Sequence, residues 1–502
     1  MLFFSGECMS LEIKLSDLLQ DIANIDAEHD CIITGIAIDS RVVKYGNLFL
    51  AYSGAISDGR DFIAEVIHKG ALAVLCEDKL PSGLTLSKTI PVIVVPNLKS
   101  KIGLIAAKFY DYPARKLTVI GVTGTNGKTS TTHYIATVLT KLGVACGVIG
   151  TIGVGFPGKL KPMINTTSDP VTLQRCLFEL NKSGAKAVAM EVSSHGLAHG
   201  RVNGIDFSIG VFTNLTRDHL DYHGTMANYG DVKKSLFLQY NLKHAVINAD
   251  DEFGRGLIQE LKDSINVYAY TTSDVAIDGI QMVRAQNIEL NLAAISADVA
   301  TPWGSGLLKS RLLGRFNLSN LLAVLAVLGV MKVDVNEALT IISELEAVNG
   351  RMQVFGGKQN KPLVVIDYAH TPDALEQALL TLREYCHGAL WCVFGCGGDR
   401  DRGKRPIMGK VVERCSDHII ITNDNPRTED PKHIVDDILQ GLLCPWAVEV
   451  EYDRMAAIGY AINNAKPDDV ILIAGKGHEE YQIIGKEKLP FSDKEVVMKA
   501  LS

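Results

Sequence analysis

The segment Gly121-Val-Thr-Gly-Thr-Asn-Gly-Lys-Thr-Ser130 constrains the fold of this chain more than any other stretch. The apolar run Leu117 to Val122 reads as a strand leading into it, and Thr129 to Leu142 reads as a helix leaving it. A glycine-rich turn between strand and helix presents backbone N–H groups to an anion, and the helix N-terminus adds a favourable dipole. Lys128 can reach terminal phosphates, and the Thr129 hydroxyl can ligate Mg²⁺. The pattern predicts a nucleotide-phosphate site. It departs from the common phosphate loop in one place. That loop has a glycine five residues before the Gly-Lys pair, where this chain has Val122. The loop here is the narrower Gly124-Thr-Asn-Gly-Lys-Thr129.

At 502 residues the chain is long enough for three or four domains of about 150 residues each. Its 47% hydrophobic and 21% charged residues suit large globular cores. A formal net charge of −7 and the lack of a basic block give no electrostatic case for nucleic acid. The ten cysteines are scattered, which suits reduced thiols in a cytoplasmic protein. Cys392 and Cys396 flank an apolar run and read as packing residues. Met1-Leu-Phe-Phe is too short for a signal peptide, and Met9 is an alternative start. The longest apolar run, Leu321 to Met331, is too short to span a bilayer and reads as a buried helix. These features predict a cytoplasmic location.

Residues 1–114 alternate short strands and helices, with strand-like runs at Ile32 to Asp39, Asn47 to Ala51, Ala71 to Cys76 and Pro91 to Val95. Asp111-Tyr-Pro-Ala-Arg115 reads as a boundary. Residues 115–348 repeat a strand-helix rhythm, with short apolar runs at Val144 to Ile149, Ala187 to Val192, Phe207 to Thr213 and His244 to Asn248. Such runs are the buried-parallel type. A second boundary falls near Asn349-Gly-Arg351. Residues 349–502 again alternate, with strands at Leu363 to Asp367, Leu390 to Phe394, Asp417 to Thr422 and Asp469 to Ala474. The expected class is α/β, with sheets covered on both faces and ligands at the C-terminal ends of strands.

Four polar constellations follow apolar strands. In Met190-Glu-Val-Ser-Ser-His-Gly196, Glu191 can hold a phosphate-bound Mg²⁺, or it can simply be a capping acid. Thr213-Asn-Leu-Thr-Arg-Asp-His-Leu-Asp-Tyr-His-Gly224 crowds acids and imidazoles, with His219 a candidate ligand. Asp367-Tyr-Ala-His-Thr-Pro-Asp373 is the third. Gly395-Cys-Gly-Gly-Asp-Arg-Asp-Arg-Gly-Lys-Arg405 combines glycines for tight turns with cations for anions.

Together these residues resemble the Mur ligase family, ATP-dependent amide-forming enzymes of peptidoglycan synthesis. Gly124 to Thr129, Glu191-Val-Ser-Ser-His195, Asn214 with Asp218-His219, Asn317-Leu-Ser-Asn320, Asn349-Gly-Arg351 and Asp367-Tyr-Ala-His370 stand in the family's order over essentially the whole chain. The resemblance implies three domains. An N-terminal α/β domain (1–114) binds the uridine nucleotide. A central P-loop-type parallel-sheet ATPase domain spans 115–348. A C-terminal Rossmann-like domain (349–502) binds the amino acid. Within the family the chain is most similar to the branch that adds meso-diaminopimelate. Asp424-Asn-Pro-Arg427 and Gly475-Lys-Gly-His-Glu479 carry that likeness. The planar fork of Arg427 suits the distal carboxylate of diaminopimelate, which lysine lacks. Asp424 and Glu479 suit its ammonium. A site built for a hydrogen-bonding group rejects analogues without it.

The resemblance assigns roles residue by residue. ATP falls to Gly124, Thr125, Asn126, Gly127, Lys128, Thr129, Asn320, Arg351 and Asp367. The UDP-sugar peptide falls to Ile38, Ser40, Ala55, Ile56, Ser57, Asn165, Thr166, Thr167, Ser193, His199 and Arg201; relatives often carry glutamine at His199. Diaminopimelate falls to Arg400, Asp424, Asn425, Pro426, Arg427, Gly475 and Glu479. Lys128, Glu191, His219 and Lys233 are the catalytic set, and Mg²⁺ falls to Thr129, Glu191, His219 and Lys233 as its carbamate. Lys234 is adjacent; the spacing from Asp221-Tyr-His223 favours Lys233. The implied reaction uses ATP to phosphorylate the D-glutamate γ-carboxylate of UDP-N-acetylmuramoyl-L-Ala-D-Glu. The amine of meso-diaminopimelate then attacks the acyl phosphate. The expected enzyme is a monomer whose domains close around the reaction. Three rivals remain: a lysine-adding relative, a folylpolyglutamate synthase sharing a related core, and a non-catalytic P-loop ATPase or regulator.

Overall fold

The structure, a computed structural model, describes residues 11–54, 57–79, 90–163, 165–291, 294–357 and 360–502. The chain packs as two compact units: Met1–Ile120 with Val144–Ser208, and Gly121–Gly143 with Ile209–Ser502.

The first unit holds a four-stranded parallel sheet, Gly35–Ala37, Asn47–Ala51, Ala73–Glu77 and Val92–Val95, in that spatial order. Leu48 and Leu50 face one apolar cluster, with Ile102, Ile105 and Ala106 of the helix Leu98–Phe109. Phe49 and Ala51 face the other, with Ile63 and Val66. A strand buried on both faces has no polar alternation, which is why Asn-Leu-Phe-Leu-Ala reads as a continuous apolar run. The expected strand Ile32 to Asp39 is broken at Thr34. Ile32–Ile33 pairs antiparallel with Ile13–Lys14, while Gly35–Ala37 joins the parallel sheet. The same unit carries Cys146–Ile149 and Ala187–Glu191, paired in parallel, and the hairpin Val154–Phe156 with Lys159–Lys161.

In the second unit Ile209–Phe212, His244–Asn248 and Asn266–Thr271 run parallel. The helix Arg315–Val330 is buried nearly all round, with Leu321 to Leu328 at most 1% exposed, as its apolar run predicts. One expectation needs correcting. The strand-helix rhythm does not continue unbroken to residue 348. Gln281–Leu290, Ile295–Thr301 and Gly304–Ser310 form an antiparallel meander. Ile295, Ala297 and Val299 are buried while Asp298 and Ala300 are exposed, so one face meets solvent and the strand alternates.

A second sheet of this unit orders its strands as Gln353–Gly356, Leu363–Asp367, Val470–Ala474, Leu390–Phe394, His418–Ile421 and Glu449–Val450. Only its first pair is antiparallel. Apolar clusters cover both faces, one around Leu379 and Val412 and the other around Ile458 and Val497. The described cysteines are all free thiols. Cys392 is buried within this sheet and Cys396 in the loop just after its strand, against Met408, and burial pushes both thiols up. No described helix is long and apolar enough to cross a membrane.

Candidate active site

In the first unit the strands Cys146–Ile149 and Ala187–Glu191 end side by side, and a polar network is built at their C-terminal ends. The Glu191 carboxylate, 1% exposed, accepts from the Thr151 amide (2.8 Å) and hydroxyl (3.1 Å). Thr151 meets Thr166 hydroxyl to hydroxyl at 3.0 Å. Thr167 Oγ1 donates to the Glu191 carbonyl and accepts from the Ser193 amide, both at 3.0 Å. Arg201 donates to the Thr167 carbonyl at 2.8 Å, and Ser193 caps the short helix Ser194–Ala198. Thr166, Thr167, Ser193, Arg201 and Glu191 thus form one connected group; Asn165 lies exposed beside it. Burial, then Arg201 and Lys99, lower the His199 imidazole. Thr151 was missed by the sequence reading, although the Gly150-Thr151 pair after a strand was its signal.

In the parallel sheet of this unit, Ile38 follows the strand Gly35–Ala37 and Ser40 opens a short turn capped by Asp39. The Ser40 carbonyl accepts from Lys69 at 2.9 Å. The Ser57 carbonyl accepts from the Gly54 amide. Ala55 and Ile56 lie outside the described residues.

The strand Thr118–Thr123 runs into the phosphate loop, which belongs to the second unit, and the helix Lys128–Lys141 starts from that loop. Val122, 0% exposed, lies inside the strand, where a β-branched residue belongs. The turn begins two residues later at Gly124, with φ +144°. Gly127 has φ +84°, and a Cβ there would stand 2.5 Å from Asn320 Oδ1. The loop is held from outside: the Thr125 amide donates to the Asn214 carbonyl (2.8 Å), and the Asn126 amide donates to Asn214 Oδ1 (2.9 Å). Thr213 Oγ1 donates to the Asn126 carbonyl at 2.6 Å. Lys128 donates to the carbonyls of Gly124 (2.9 Å) and Thr125 (2.8 Å).

Segments flanking the second sheet of this unit reach the same loop. Arg351 donates to Thr129 Oγ1 at 3.1 Å and stacks 4.2 Å from the Tyr368 ring. Asn126 donates to Asp373 at 2.9 Å. Asp367 accepts from the Met352 amide at 2.7 Å, and burial raises its carboxyl despite Arg351 nearby. His133 and His478, which the sequence reading did not weigh, both sense Arg351. Burial and then that charge lower them to about 4 and about 3, so both are neutral at pH 7.

Lys233 and Lys234 are separated sharply. Lys233, 1% exposed, donates to the Gly124 carbonyl at 2.7 Å and lies 4.4 Å from the Tyr229 ring. Burial, then Lys128, hold its amine well below the ordinary lysine range. Lys234 instead pairs with Glu260 at 3.1 Å on the outside of the helix. Nearby, Asp218 is a hub for His219 (3.2 Å), Lys404 (3.7 Å) and His370 (3.8 Å). Burial alone would raise its carboxyl, but these three cations or potential cations hold it below the usual range. Among the described residues, the loop side chains form no preassembled trio of carboxylate, imidazole or thiol ligands. Their donors nonetheless suit Mg²⁺, which uses one or two protein groups and completes its shell with phosphate oxygens and water.

The amino-acid candidates converge at the C-terminal ends of the second sheet. Asn425 Nδ2 and Lys476 Nζ both donate to Glu479 Oε2 at 2.9 Å, and Lys476 also donates to Asn425 Oδ1 at 3.1 Å. Gly475, at φ +113°, leaves room for Asp424, whose Oδ2 would lie 2.6 Å from a Cβ there. Arg427, in the left-handed region at φ +53°, donates to the Gly398 carbonyl at 2.7 Å. The Pro426 carbonyl packs against Gly398, and Arg400 is exposed on the same 395–403 loop. Beneath them Arg454 and Asp493, both 0% exposed at the side chain, form a two-pronged pair at 2.7 and 2.8 Å. Arg454 also donates to the Ala474 carbonyl at 2.9 Å, just before Gly475. Lys476, Arg454 and Asp493 were all missed. Lys476 lay inside a quoted motif, whereas nothing local marks Arg454 or Asp493.

Comparison with known proteins places this geometry. Three family models match: the Mur ligase family catalytic domain over residues 32–110, the Mur ligase middle domain over 122–328 and the Mur ligase glutamate ligase domain over 350–477. The UDP-N-acetylmuramoyl-L-alanyl-D-glutamate--2,6-diaminopimelate ligase of Coxiella burnetii is 49% identical over 487 residues, covering 97% of this chain and 99% of that one. The enzyme of the same name from Chromobacterium violaceum is 49% identical over 475 residues, 94% of each chain. A solved structure of a ligase of that name superposes with a TM-score of 0.69 at 36% identity, covering 98% of this chain and 99% of the other. This chain belongs to the Mur ligase family.

Proposed function

We propose that this ATP-dependent ligase joins meso-diaminopimelate to the D-glutamate γ-carboxylate of UDP-N-acetylmuramoyl-L-Ala-D-Glu, in peptidoglycan precursor synthesis. The observation that carries the reading lies within the second unit. The phosphate loop and the Asp424–Arg427 and Gly475–Glu479 loops belong to one packed body, and Arg351, just before the second sheet, and Asp373, in the helix after the strand Leu363–Asp367, touch the phosphate loop itself. A nucleotide site and an amino-acid site built on shared elements suit a ligase. They do not suit a regulator that only binds ATP. Near-full-length likeness to enzymes named for this reaction supports the same reading.

A carboxylate does not expel oxide, so it must first be activated. A γ-carboxylate oxygen attacks the γ-phosphorus of ATP, and the bond to the β,γ-bridging oxygen breaks to release ADP. The diaminopimelate amine attacks the acyl carbon of the resulting acyl phosphate. The tetrahedral intermediate collapses, phosphate leaves, and the amine nitrogen loses its proton. Lys128, already at the loop, neutralises charge on the transferring group. Arg351 and Thr129 orient the nucleotide, and Asn320, buried against Gly127, borders its base. Mg²⁺, when bound, would supply further neutralisation of phosphate charge; Thr129, His219 and carbamylated Lys233 would hold it from the second unit. Glu191 is assigned the same role by its motif. A lysine amine adds CO₂ only in its neutral form, which the burial of Lys233 favours. Thr166, Thr167, Ser193 and Arg201 contact the muramoyl peptide, and Ile38, Ser40 and Ser57 the uridine nucleotide. Arg427 pairs with the distal carboxylate of diaminopimelate. The soluble nucleotide substrates place the enzyme in the cytoplasm.

The test is phosphate release with UDP-N-acetylmuramoyl-L-Ala-D-Glu, offering meso-diaminopimelate and L-lysine in parallel. Turnover with L-lysine alone would overturn the specificity, and phosphate release independent of any amino acid would overturn the ligase reading. Arg427→Ala is expected to lose use of diaminopimelate while ATP binding survives.

A further inference from the structure

Lys476 has a fully buried side chain, yet it sits in the loop that the amino acid is expected to meet. Burying an ammonium is costly unless it is paired and hydrogen-bonded. Lys476 is both. It closes a three-membered ring of hydrogen bonds with Asn425 Oδ1 and Glu479 Oε2, and Asn425 Nδ2 closes the third side. Asn425 Oδ1 also accepts from the Ile483 amide at 2.9 Å, so the hairpin Tyr481–Ile484 with Glu487–Pro490 backs the ring. The Tyr481 ring lies 5.6 Å from the ammonium. The ring ties together two loops about fifty residues apart, each taken above to contact the amino acid.

Its charge matters as much as its geometry. Among the residues assigned to this site, Asp424 and Glu479 carry two formal negative charges, Arg400 and Arg427 carry two positive ones, and Lys476 adds a third. The Arg454–Asp493 pair below adds none. Loss of Lys476 makes this set more negative by one charge. The distal centre of diaminopimelate bears an ammonium and a carboxylate and is neutral overall. The distal end of L-lysine bears only an ammonium. A shift of one charge toward the acidic side favours the cationic end over the zwitterionic one, and the Lys476 ammonium opposes that shift.

We propose that Lys476 is a specificity-determining positioning residue: its ammonium orients Glu479 and Asn425 and cancels one carboxylate charge, so that the pocket prefers a zwitterionic amino-acid end to a cationic one. The inference rests on the reading of these loops as the diaminopimelate site. It acts through neighbouring side chains and requires no contact between Lys476 and the substrate.

The experiment measures kcat/KM for meso-diaminopimelate and for L-lysine in the wild type, Lys476→Met, Lys476→Gln and Glu479→Gln, with the KM for ATP as a control. Both Lys476 variants are expected to lower the diaminopimelate-to-lysine ratio by about tenfold or more, while the KM for ATP stays within about twofold. Glu479→Gln leaves the Lys476 charge uncancelled and is expected to move the ratio the opposite way. Lys476→Gln keeps a hydrogen-bonding side chain, so it carries the test if Lys476→Met does not fold. If neither Lys476 variant folds, a Glu479→Gln ratio that is unchanged or shifted toward lysine overturns the proposal. Equal losses with both amino acids, or shifts of one sign in all variants, also overturn it, since a purely structural role produces those. A wild type that does not prefer diaminopimelate would overturn the functional reading instead, so the two failures are distinguishable.

Discussion

Gly127→Ala tests the link between backbone geometry and ATP binding. The position has φ +84°, which costs an L-residue about 1–2 kcal/mol. The added Cβ would stand 2.5 Å from Asn320 Oδ1, closer than carbon and oxygen pack. Asn320 is buried, so its amide has to turn away. That forfeits its contacts with Thr131 Oγ1 (3.3 Å) and Asn317 Oδ1 (3.5 Å) and leaves a buried polar group poorly paired, for about 1 kcal/mol more. The total of about 2–3 kcal/mol corresponds to a loss of about 30- to 150-fold in ATP affinity, if the free loop relaxes and binding must restore its shape. If the loop does not relax, the same energy appears as lost folding stability. Isothermal titration with Mg·ATP and urea denaturation, run together, capture both outcomes. Gly127→Asn tolerates the left-handed backbone and should recover only that share. Gly127→Ala with Asn320→Ala should recover only the steric share of any lost stability. Wild-type ATP affinity together with a wild-type unfolding midpoint in Gly127→Ala would refute the reasoning.

Other perturbations probe different parts of the molecule. Arg454→Met leaves Asp493 as an unpaired buried charge and should cost about 3–5 kcal/mol in urea denaturation, most of it recovered in Arg454→Met with Asp493→Leu; equal losses in both variants would contradict the pairing argument. Lys233→Ala should lower kcat by about 100-fold or more, whereas Lys234→Ala should leave it within about twofold, since only the former lies at the loop; comparable kcat values for the two variants would remove Lys233 from the site. Asp469 supplies the pH test. Burial would raise its carboxyl, but the Lys466 and Ala389 amides and the Trp391 indole hold it below its ordinary 3.8. Its contribution to stability is therefore complete above pH 3.8 and lost as pH falls through the depressed value. The melting-temperature gap between wild type and Asp469→Asn should narrow with acid, and a gap independent of pH would sink this account.

What the sequence alone determined is whatever depends on burial along a local stretch. Asn47–Ala51, His244–Asn248, Leu363–Asp367 and Leu390–Phe394 coincide with their apolar runs, because a parallel strand covered on both faces has no polar side to show. The phosphate loop was legible for a similar reason. Gly124 and Gly127 occupy backbone regions that only glycine enters freely, so the chain itself records the turn. The meander strands Gln281–Leu290, Ile295–Thr301 and Gly304–Ser310 were not legible by that rule, because outward residues such as Asp298 are solvated and break the run. Only the tertiary structure decided which polar groups meet. Lys233 and Lys234 are neighbours of identical chemistry, and the orientation of one helix buries the first beside Gly124 and leaves the second to Glu260. Asn425 finds Lys476 across 51 residues, and Arg454 finds Asp493 across 39. Local propensity carries no trace of such partners, because a buried charge is tolerated only once the whole sheet has brought its counter-charge within hydrogen-bond reach.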